Sequence, residues 1–314
     1  MPKCSTTAML SHRHGCSSAL LFLMLSRSAF AGSANEPPIA TYRTTVSEVR
    51  VTFCGTDEKN RPLAKVGKDD FAVVDNGIVV RDFRSLARSD EAALDVVAVV
   101  DASESVAPRF QATVTDVLKL VSQKQLASDD NISVMSFSGL QPVVICTSDC
   151  RSATAEQRLL AVKAAGATPL FDALADGAKF ISRRQIPGVR PVLILFSDGD
   201  DTISKTSARD ALEAVIASGA LLYAVDLNEP GVGANGSAAL QQMAEATGGR
   251  YFPASEGAVH VLEAALEDLH ASYVVTYQLP NRAVGFHSLR ILPKHNLNLR
   301  FHCRNGYYYE NSVP

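Results

Sequence analysis

The sequence predicts an α/β fold, in which a doubly wound parallel sheet is accompanied by a small flanking β module from the N- and C-terminal segments. From Leu94 onward, continuous apolar stretches alternate with amphipathic helical stretches, a pattern typical of a parallel sheet covered by helices on both faces. On either side of this region the sequence changes to strand-like segments rich in Thr, Val and Tyr. With 46% apolar and 20% charged residues, the 314-residue chain has a globular composition.

The first residues have the pattern of a secretory signal peptide, predicted here over residues 1–31. Basic residues and histidines precede the apolar run at residues 19–25, and Ala29-Phe30-Ala31 has the small-x-small pattern of a cleavage site. An N-terminal tail with no targeting role is the alternative. The apolar run is shorter than the ~20 residues that span a bilayer, and we see no longer run in the mature chain. We therefore expect an exported protein, periplasmic or secreted, without a transmembrane segment.

Residues 41–90 and 271–314 are predicted to form the β module. The first segment contains the alternating stretch TYRTTVSEVRVTF and the stretch FAVVDNGIVV. In the latter, Asn76-Gly77 predicts a tight hairpin turn, because both residues tolerate positive φ. The second segment contains SYVVTYQL, SLRILP and LNLRFHC. We expect the two segments to pack together.

Residues 94–270 are predicted to form a Rossmann-like domain. The expected strands are residues 94–100, 131–137, 192–196 and 220–225, and the expected helices are residues 110–122, 155–164, 170–182, 206–218, 238–247 and 259–270. In open sheets of this kind, ligands bind at the carboxyl ends of the strands, near the point where the strand order reverses. We therefore expect the functional residues at those ends.

Four cysteines remain after removal of the predicted signal: Cys54, Cys146, Cys150 and Cys303. An even number of cysteines in an exported protein favours disulfides. Cys146 and Cys150 lie in the short stretch CTSDC, and Cys54 would then pair with Cys303 across most of the mature chain. The spacing does not match the usual zinc patterns. Free thiols are the remaining alternative, and the sequence leaves the connectivity open.

Oxygen-bearing side chains gather at the predicted ends of strands and starts of helices. Asp101, Ser103 and Ser105 follow the first strand in DASES, Asp198 follows the third strand in SDGDD, and Thr168 precedes a helix. Carboxylate and hydroxyl oxygens suit Mg²⁺, Mn²⁺ or Ca²⁺ rather than zinc or copper. Each group also has a structural alternative, as a helix cap, a helix start or a turn. Together they predict a divalent metal site, with Mg²⁺ preferred.

These three stretches resemble the metal-ion-dependent adhesion site, or MIDAS, of the von Willebrand factor A (vWA) domain family. The resemblance covers about residues 94–269 and includes AEATGGRYF at residues 244–252. The flanks resemble those of secreted bacterial proteins that carry an A domain between short β segments. The resemblance implies that Ser103, Ser105 and Thr168 ligate the metal through their hydroxyls, and that Asp101 and Asp198 bind it directly or through water.

Glu104 departs from the family pattern, in which the position between the two serines is often small. A carboxylate here places negative charge at the rim of the expected site. It would weaken the attraction of an acidic partner, cover the metal itself, or contact a basic partner, and the sequence leaves these three roles open.

The resemblance implies a binding protein, not an enzyme, that captures a protein partner when the partner's Asp or Glu completes the metal coordination. A metal-dependent hydrolase acting on phosphate esters is the alternative, but the first strand end lacks a DxD pair, no Lys or Arg is placed near the loops to stabilise phosphoryl transfer, and no GxSxG elbow is present. A structural scaffold without partner capture is the third possibility. The net charge of −3 and the lack of a basic run argue against nucleic acid as a partner.

Overall fold

Four strands form the N-terminal part of the computed structural model: β1 (Glu48–Thr56), β2 (Phe71–Asp75), β3 (Ile78–Val79) and β4 (Phe83–Arg88). The structure describes residues 48–59, 61–88, 93–122, 130–184, 189–229, 233–253 and 267–309, so the predicted signal peptide lies outside the described residues. The predicted hairpin is present, because β2 pairs with β3 and its turn residues Asn76 and Gly77 have φ of 48° and 80°. Asn and Gly adopt this left-handed conformation at the lowest cost.

Strands and helices then alternate through the central region. In chain order they are β5 (Leu94–Asp101), α1 (Ala107–Val121), β6 (Asn131–Phe137), β7 (Val143–Cys146), α2 (Ala153–Leu160), α3 (Leu170–Arg184), β8 (Arg190–Ser197), α4 (Ala208–Ser218), β9 (Leu221–Asp226), α5 (Ala234–Thr247) and β10 (Tyr251–Phe252). The sheet order is β10-β9-β8-β5-β6-β7, and β7 alone of these strands runs antiparallel to its neighbour. This confirms the predicted doubly wound α/β fold.

The boundaries differ from the predicted ones in places. Strand β7 was not predicted, because its four residues are too few to show a period. Helix α1 starts three residues earlier than predicted, with Pro108 in its first turn, where the missing N–H costs nothing. Of the predicted last helix at residues 259–270, residues 267–270 are helical and the preceding residues lie outside the described part of the chain.

Alternate residues of β5 enter two separate cores. Val96, Ala98 and Val100 pack with residues of α1 and α2, whereas Val97 and Val99 pack with α3, α4 and α5. Every residue of β5 is buried, because helices cover both faces of the sheet. This explains why the strand reads as an unbroken apolar run rather than an alternating one.

Four C-terminal strands complete the fold: β11 (Tyr273–Gln278), β12 (Gly285–Pro293), β13 (Arg300–Cys303) and β14 (Gly306–Tyr309). They pair with the N-terminal strands in two four-stranded sheets, ordered β13-β1-β11-β4 and β14-β12-β2-β3. The sheets share one core, in which the ring centroids of Phe53 on β1 and Phe71 on β2 are 4.9 Å apart. The flanking module is therefore a small β-sandwich. No helix within the described ranges is long and apolar enough to cross a membrane.

A buried carboxylate lies inside this sandwich. Asp75, at the end of β2, is fully buried and accepts hydrogen bonds of 2.8 Å from the hydroxyls of Tyr277 and Tyr307. Nδ1 of His287, also buried, lies 3.4 Å from the other carboxylate oxygen. Burial and the neighbouring carboxylate raise the pKa of both tyrosines, which therefore remain donors. The arrangement gives the buried carboxylate its hydrogen-bond partners and connects four strands of the module, β2, β11, β12 and β14.

The structure corrects one of the two expected disulfides. Cys146 and Cys150 are joined, as expected, but Cys54 and Cys303 are free thiols. In the antiparallel register, Cys303 lies opposite Phe53, and Cys54 lies opposite His302. Successive side chains of a strand point to opposite faces of the sheet, so the two sulfur atoms lie on different faces. The Cys54 thiol instead donates to the carbonyl of Asp268 at 3.4 Å, and burial raises its pKa to about 12.

Candidate metal centre

Asp101 lies at the carboxyl end of β5, where β5 and β8 are neighbours and the strand order of the sheet reverses. Its side chain is wholly buried, with 0% exposure. Oδ1 accepts a hydrogen bond of 2.9 Å from the backbone N–H of Ser103, and Oδ2 accepts one of 2.7 Å from the hydroxyl of Ser197. Within the described ranges, no Lys or Arg forms an ion pair with Asp101 or Asp198. Burial, with a smaller contribution from the charge of nearby Asp198, raises the pKa of Asp101 to about 6, although the hydrogen bonds from Ser103 and Ser197 lower it.

Ser103 and Ser105 place two hydroxyls side by side next to this carboxylate. Their Oγ atoms are 3.1 Å apart, with Ser103 buried and Ser105 exposed. Neither serine caps the following helix, because the N-cap of α1 is Val106 and it makes no side-chain capping bond. The structural alternative for DASES, a helix cap, is therefore wrong. The two-residue spacing instead brings both hydroxyls to one side of the loop, beside Asp101.

Backbone hydrogen bonds join the Thr168 loop to the Asp101 loop. The N–H of Ala165 donates to the carbonyl of Ala102 at 2.8 Å, and the N–H of Glu104 donates to the carbonyl of Gly166 at 2.9 Å. Thr168 itself is buried at 3% exposure and lies two residues before the first residue of α3. The DASES loop and the Thr168 loop are thus adjacent.

The Asp198 loop joins the same cluster. Thr202 donates its N–H to the carbonyl of Thr168 at 2.9 Å, and its hydroxyl accepts the N–H of Thr168 at 2.8 Å. Asp198 is buried, and its Oδ1 accepts the N–H of Asp200 at 3.2 Å. Burial, and then the charge of Asp198, raise the pKa of Asp200. All five predicted ligands therefore lie on three loops that are hydrogen-bonded to one another at one edge of the sheet.

Asn228 is a residue of this site that sequence reasoning missed. Its side-chain amide donates to the carbonyl of Asp198 at 2.6 Å and to Oδ1 of Asp226 at 2.8 Å. The backbone carbonyl of Asn228 accepts a hydrogen bond of 2.9 Å from the guanidinium of Arg109 on α1. Asn228 thus connects the Asp198 loop to the end of β9 and to the helix that follows DASES. No local pattern indicated this role, because two of its partners, Asp198 and Arg109, are distant in sequence.

Two glycines allow α5 to approach the Asp198 loop. Gly199 has φ of 81°, and a Cβ placed there would lie 2.3 Å from the carbonyl oxygen of Gly236 on α5. A Cβ on Gly236 would lie 2.2 Å from the carbonyl oxygen of Asp198. The main chains of the two segments are therefore in direct contact, and only glycine fits at either position.

The chemistry of the donors fits a divalent cation. The set contains two carboxylates, one of them wholly buried without a basic partner in the described part of the chain, and three hydroxyls. A buried charge is stable only when it is paired, bound to a metal or neutralised by a proton. Hard oxygen donors select Mg²⁺, Mn²⁺ or Ca²⁺. Among the described residues there is no cluster of three or more His, Cys, Asp or Glu suited to a metal; a cation held here would have hydroxyls as well as carboxylates as ligands.

Glu104 lies at the edge of this cluster. Its side chain is exposed, as is that of the following Ser105, whereas the preceding Ser103 is buried. Its backbone is fixed by the bond to Gly166. The carboxylate is therefore presented to solvent at the rim.

The family model of the von Willebrand factor type A domain matches residues 95–265, which is more than half of the 314 residues. A search of the curated proteins found no significant match.

Many solved structures resemble the chain, among them the following three. A von Willebrand factor type A protein from Catenulispora acidiphila is 13% identical with a TM-score of 0.45, covering 87% of this chain and 76% of that one. An aerotolerance-related membrane protein from Bacteroides fragilis NCTC 9343 is 19% identical with a TM-score of 0.44, covering 56% of this chain and 98% of that one. Proximal thread matrix protein 1 from the mussel byssus, solved with a zinc-occupied MIDAS motif, is 15% identical with a TM-score of 0.45, covering 62% of this chain and 50% of that one.

The family model carries the assignment, since it matches the strands and helices of the central sheet from the start of β5 to beyond β10. The matched residues contain all three loops of the candidate metal centre. The chain therefore belongs to the von Willebrand factor type A domain family.

Proposed function

We propose that the protein is an exported binding protein that captures a protein partner through a divalent cation. The cation, Mg²⁺ in preference to Mn²⁺ or Ca²⁺, would be held by Asp101, Ser103, Ser105, Thr168 and Asp198. The observation that supports the proposal best is the wholly buried Asp101, which has two hydrogen bonds and no basic partner within the described ranges. A cation at this position would neutralise it.

Partner capture follows from the composition of the donor set. A divalent cation bound mainly by hydroxyls keeps positive charge and attracts a further anionic ligand. Ser105 and Glu104 are exposed, so this side of the cluster is open to solvent. An Asp or Glu of a partner protein would complete the site from there.

A binding role is proposed rather than hydrolysis. Arg109 is the basic residue closest in sequence to DASES, and its guanidinium is engaged by the carbonyl of Asn228 and lies 3.8 Å from Glu229. The guanidinium is therefore already engaged, whereas phosphoryl transfer needs a positive charge positioned at the transferred group. A screen of phosphate esters and carboxylic esters with added Mg²⁺ is expected to show no turnover, and turnover lost in Asp198→Ala would revive the hydrolase alternative.

Calorimetry with Mg²⁺ and Mn²⁺ tests the metal site. We expect one cation per chain in the wild type and none in Asp101→Ala, whereas Asp176→Ala, which removes an exposed carboxylate on α3, binds as the wild type does. Equal binding in the two variants would refute the site. Partner capture is then tested by affinity purification from exported proteins of the source cells with Mg²⁺ and with EDTA, using Asp101→Ala as the control.

Export is part of the same proposal and is supported by the signal-like pattern of residues 1–31. Expression of the full chain in a bacterium with periplasmic fractionation is expected to give a mature protein that begins at Gly32. Recovery of the protein in the cytoplasm with residues 1–31 retained would contradict it.

A further inference from the structure

The rim of the candidate metal centre carries exposed apolar side chains from separate segments. Leu140, in the turn after β6, is 88% exposed, and Ile203, in the Asp198 loop, is 39% exposed. Val143, at the start of β7, is 57% exposed. A single exposed Leu or Val on a protein surface needs no explanation. The positions of these three relative to the metal loops are what make them informative.

Leu140 and Ile203 adjoin the Thr168 loop from two directions along the chain. The N–H of Gly139, next to Leu140, donates to the carbonyl of Ala167 at 2.8 Å. The N–H of Ile203 lies 3.4 Å from the carbonyl of Thr168, and the N–H of Thr202 lies 2.9 Å from the same oxygen. Backbone hydrogen bonds therefore hold the segments that carry Leu140 and Ile203 against Ala167 and Thr168, and Thr168 is a proposed ligand.

Val143 lies at the same edge of the sheet. In the strand register, Asp101 on β5 is opposite Phe137 on β6, and Ser136 on β6 is opposite Val143 on β7. Neighbouring strands are about 4.8 Å apart, so Val143 is roughly 10 Å from Asp101 across the sheet. The hairpin that carries Leu140 and Val143 ends at Cys146, which the disulfide to Cys150 ties to the following turn. The apolar residues are thus fixed in place beside the metal loops.

We infer that this apolar rim, formed by Leu140, Val143 and Ile203, selects the segment of the partner protein that binds the cation. The occupant is a loop or extended segment in which an Asp or Glu is followed or preceded, within two residues, by a large aliphatic or aromatic side chain. The carboxylate meets the residual positive charge of the cation, and the apolar side chain is buried against Leu140 and Ile203. The inference rests on the proposed function, and it adds the chemical class of the ligand to it.

The exposed Glu104 restricts the number of acidic residues that the bound segment can carry. A second carboxylate in the bound segment would approach this side chain, and two like charges in contact disfavour binding. We therefore expect one acidic residue per bound segment rather than an acidic run. Charge and apolar contact together distinguish this ligand from a general polyanion.

A phage-displayed library of random heptapeptides tests the inference. The full-length mature protein is immobilised in Mg²⁺, and bound clones are released with EDTA. We expect the released clones to contain one Asp or Glu with Leu, Ile, Val, Phe or Met within two residues, enriched over the unselected library. Synthetic peptides made from such clones, with the apolar residue replaced by Ser, are expected to bind about tenfold more weakly.

The matched variant is the double substitution Leu140→Ser and Ile203→Ser, which changes two exposed side chains and leaves the five proposed ligands intact. We expect its Mg²⁺ affinity by calorimetry to equal that of the wild type, and its EDTA-released clones to keep the acidic residue but lose the apolar preference. Clones with an acidic residue and no apolar enrichment on the wild type would overturn the apolar rim and leave the proposed function standing. Absence of any EDTA-released clone would overturn both. Mg²⁺-dependent dimerisation of the wild type that is lost in the double variant would show instead that a second copy occupies the rim.

Discussion

The replacement of Asn228 by Ala tests how the three metal loops are held together. The substitution removes the two short hydrogen bonds of the side-chain amide, to the carbonyl of Asp198 at 2.6 Å and to Oδ1 of Asp226 at 2.8 Å, together with a longer one of 3.4 Å to the hydroxyl of Ser237. It leaves the backbone N–H of residue 228 bonded to Asp226. The loop around Asp198 then loses its side-chain connection to the end of β9.

The expected cost follows from the two acceptors. A hydrogen bond to a neutral carbonyl contributes about 0.5–1.5 kcal/mol to stability, and one to a carboxylate about 1.5–3 kcal/mol. The free energy of unfolding is therefore expected to fall by about 2–4 kcal/mol. At about 3 °C per kcal/mol for a domain of this size, the melting temperature falls by roughly 6–12 °C. Because Asp198 is a proposed ligand, the Mg²⁺ affinity is expected to fall by roughly 10–100-fold, the usual effect of losing a residue that orients a metal ligand.

Thermal denaturation by circular dichroism measures the first effect, and calorimetry with Mg²⁺ measures the second. Asn298→Ala is the matched control, because Asn298 is an exposed residue between β12 and β13, and it is expected to behave as the wild type in both assays. A variant with a melting temperature within 2 °C of the wild type and an unchanged Mg²⁺ affinity would show that Asn228 does not hold the metal loops together.

Two further predictions concern the packing of α5 and the thiols. Gly236→Ala places a methyl group 2.2 Å from the carbonyl oxygen of Asp198. Although Ala is favoured over Gly in a helix by about 1 kcal/mol, we expect overpacking to destabilise the fold by roughly 1–3 kcal/mol and to weaken Mg²⁺ binding; a rise in melting temperature would show that the two main chains are not in contact. Denaturation without reductant, alkylation and peptide mass spectrometry are expected to find alkylated Cys54 and Cys303 and a peptide that retains the Cys146–Cys150 bond; a Cys54–Cys303 linked peptide would contradict the strand register.

Most of the proposed ligands of the candidate site could be identified in the sequence because they follow local patterns. Asp101, Ser103 and Ser105 come immediately after an apolar strand, and Asp198 comes immediately after another. The carboxyl ends of parallel strands meet at one edge of the sheet, so the two groups were expected together. Strand β7 and residue Asn228 could not be predicted in this way. The strand is too short to show a period, and the partners of Asn228 are 30 residues away at Asp198 and 119 residues away at Arg109.

The alternation of buried strands and helices, and the order in which the oxygen-bearing residues follow them, can be predicted from the amino-acid sequence, because apolar patterning and donor chemistry are properties of short stretches. Which side chains meet depends on the tertiary structure. The strand register, which no local pattern encodes, places Cys54 and Cys303 on opposite faces of one sheet. The disulfide between them, which was expected from the even number of cysteines, therefore does not form. The tertiary structure likewise brings the hydroxyl of Ser197 to the buried Asp101. It also brings Leu140 and Ile203 next to the Thr168 loop. Strand order and register set these contacts, because they join residues that are far apart in the chain.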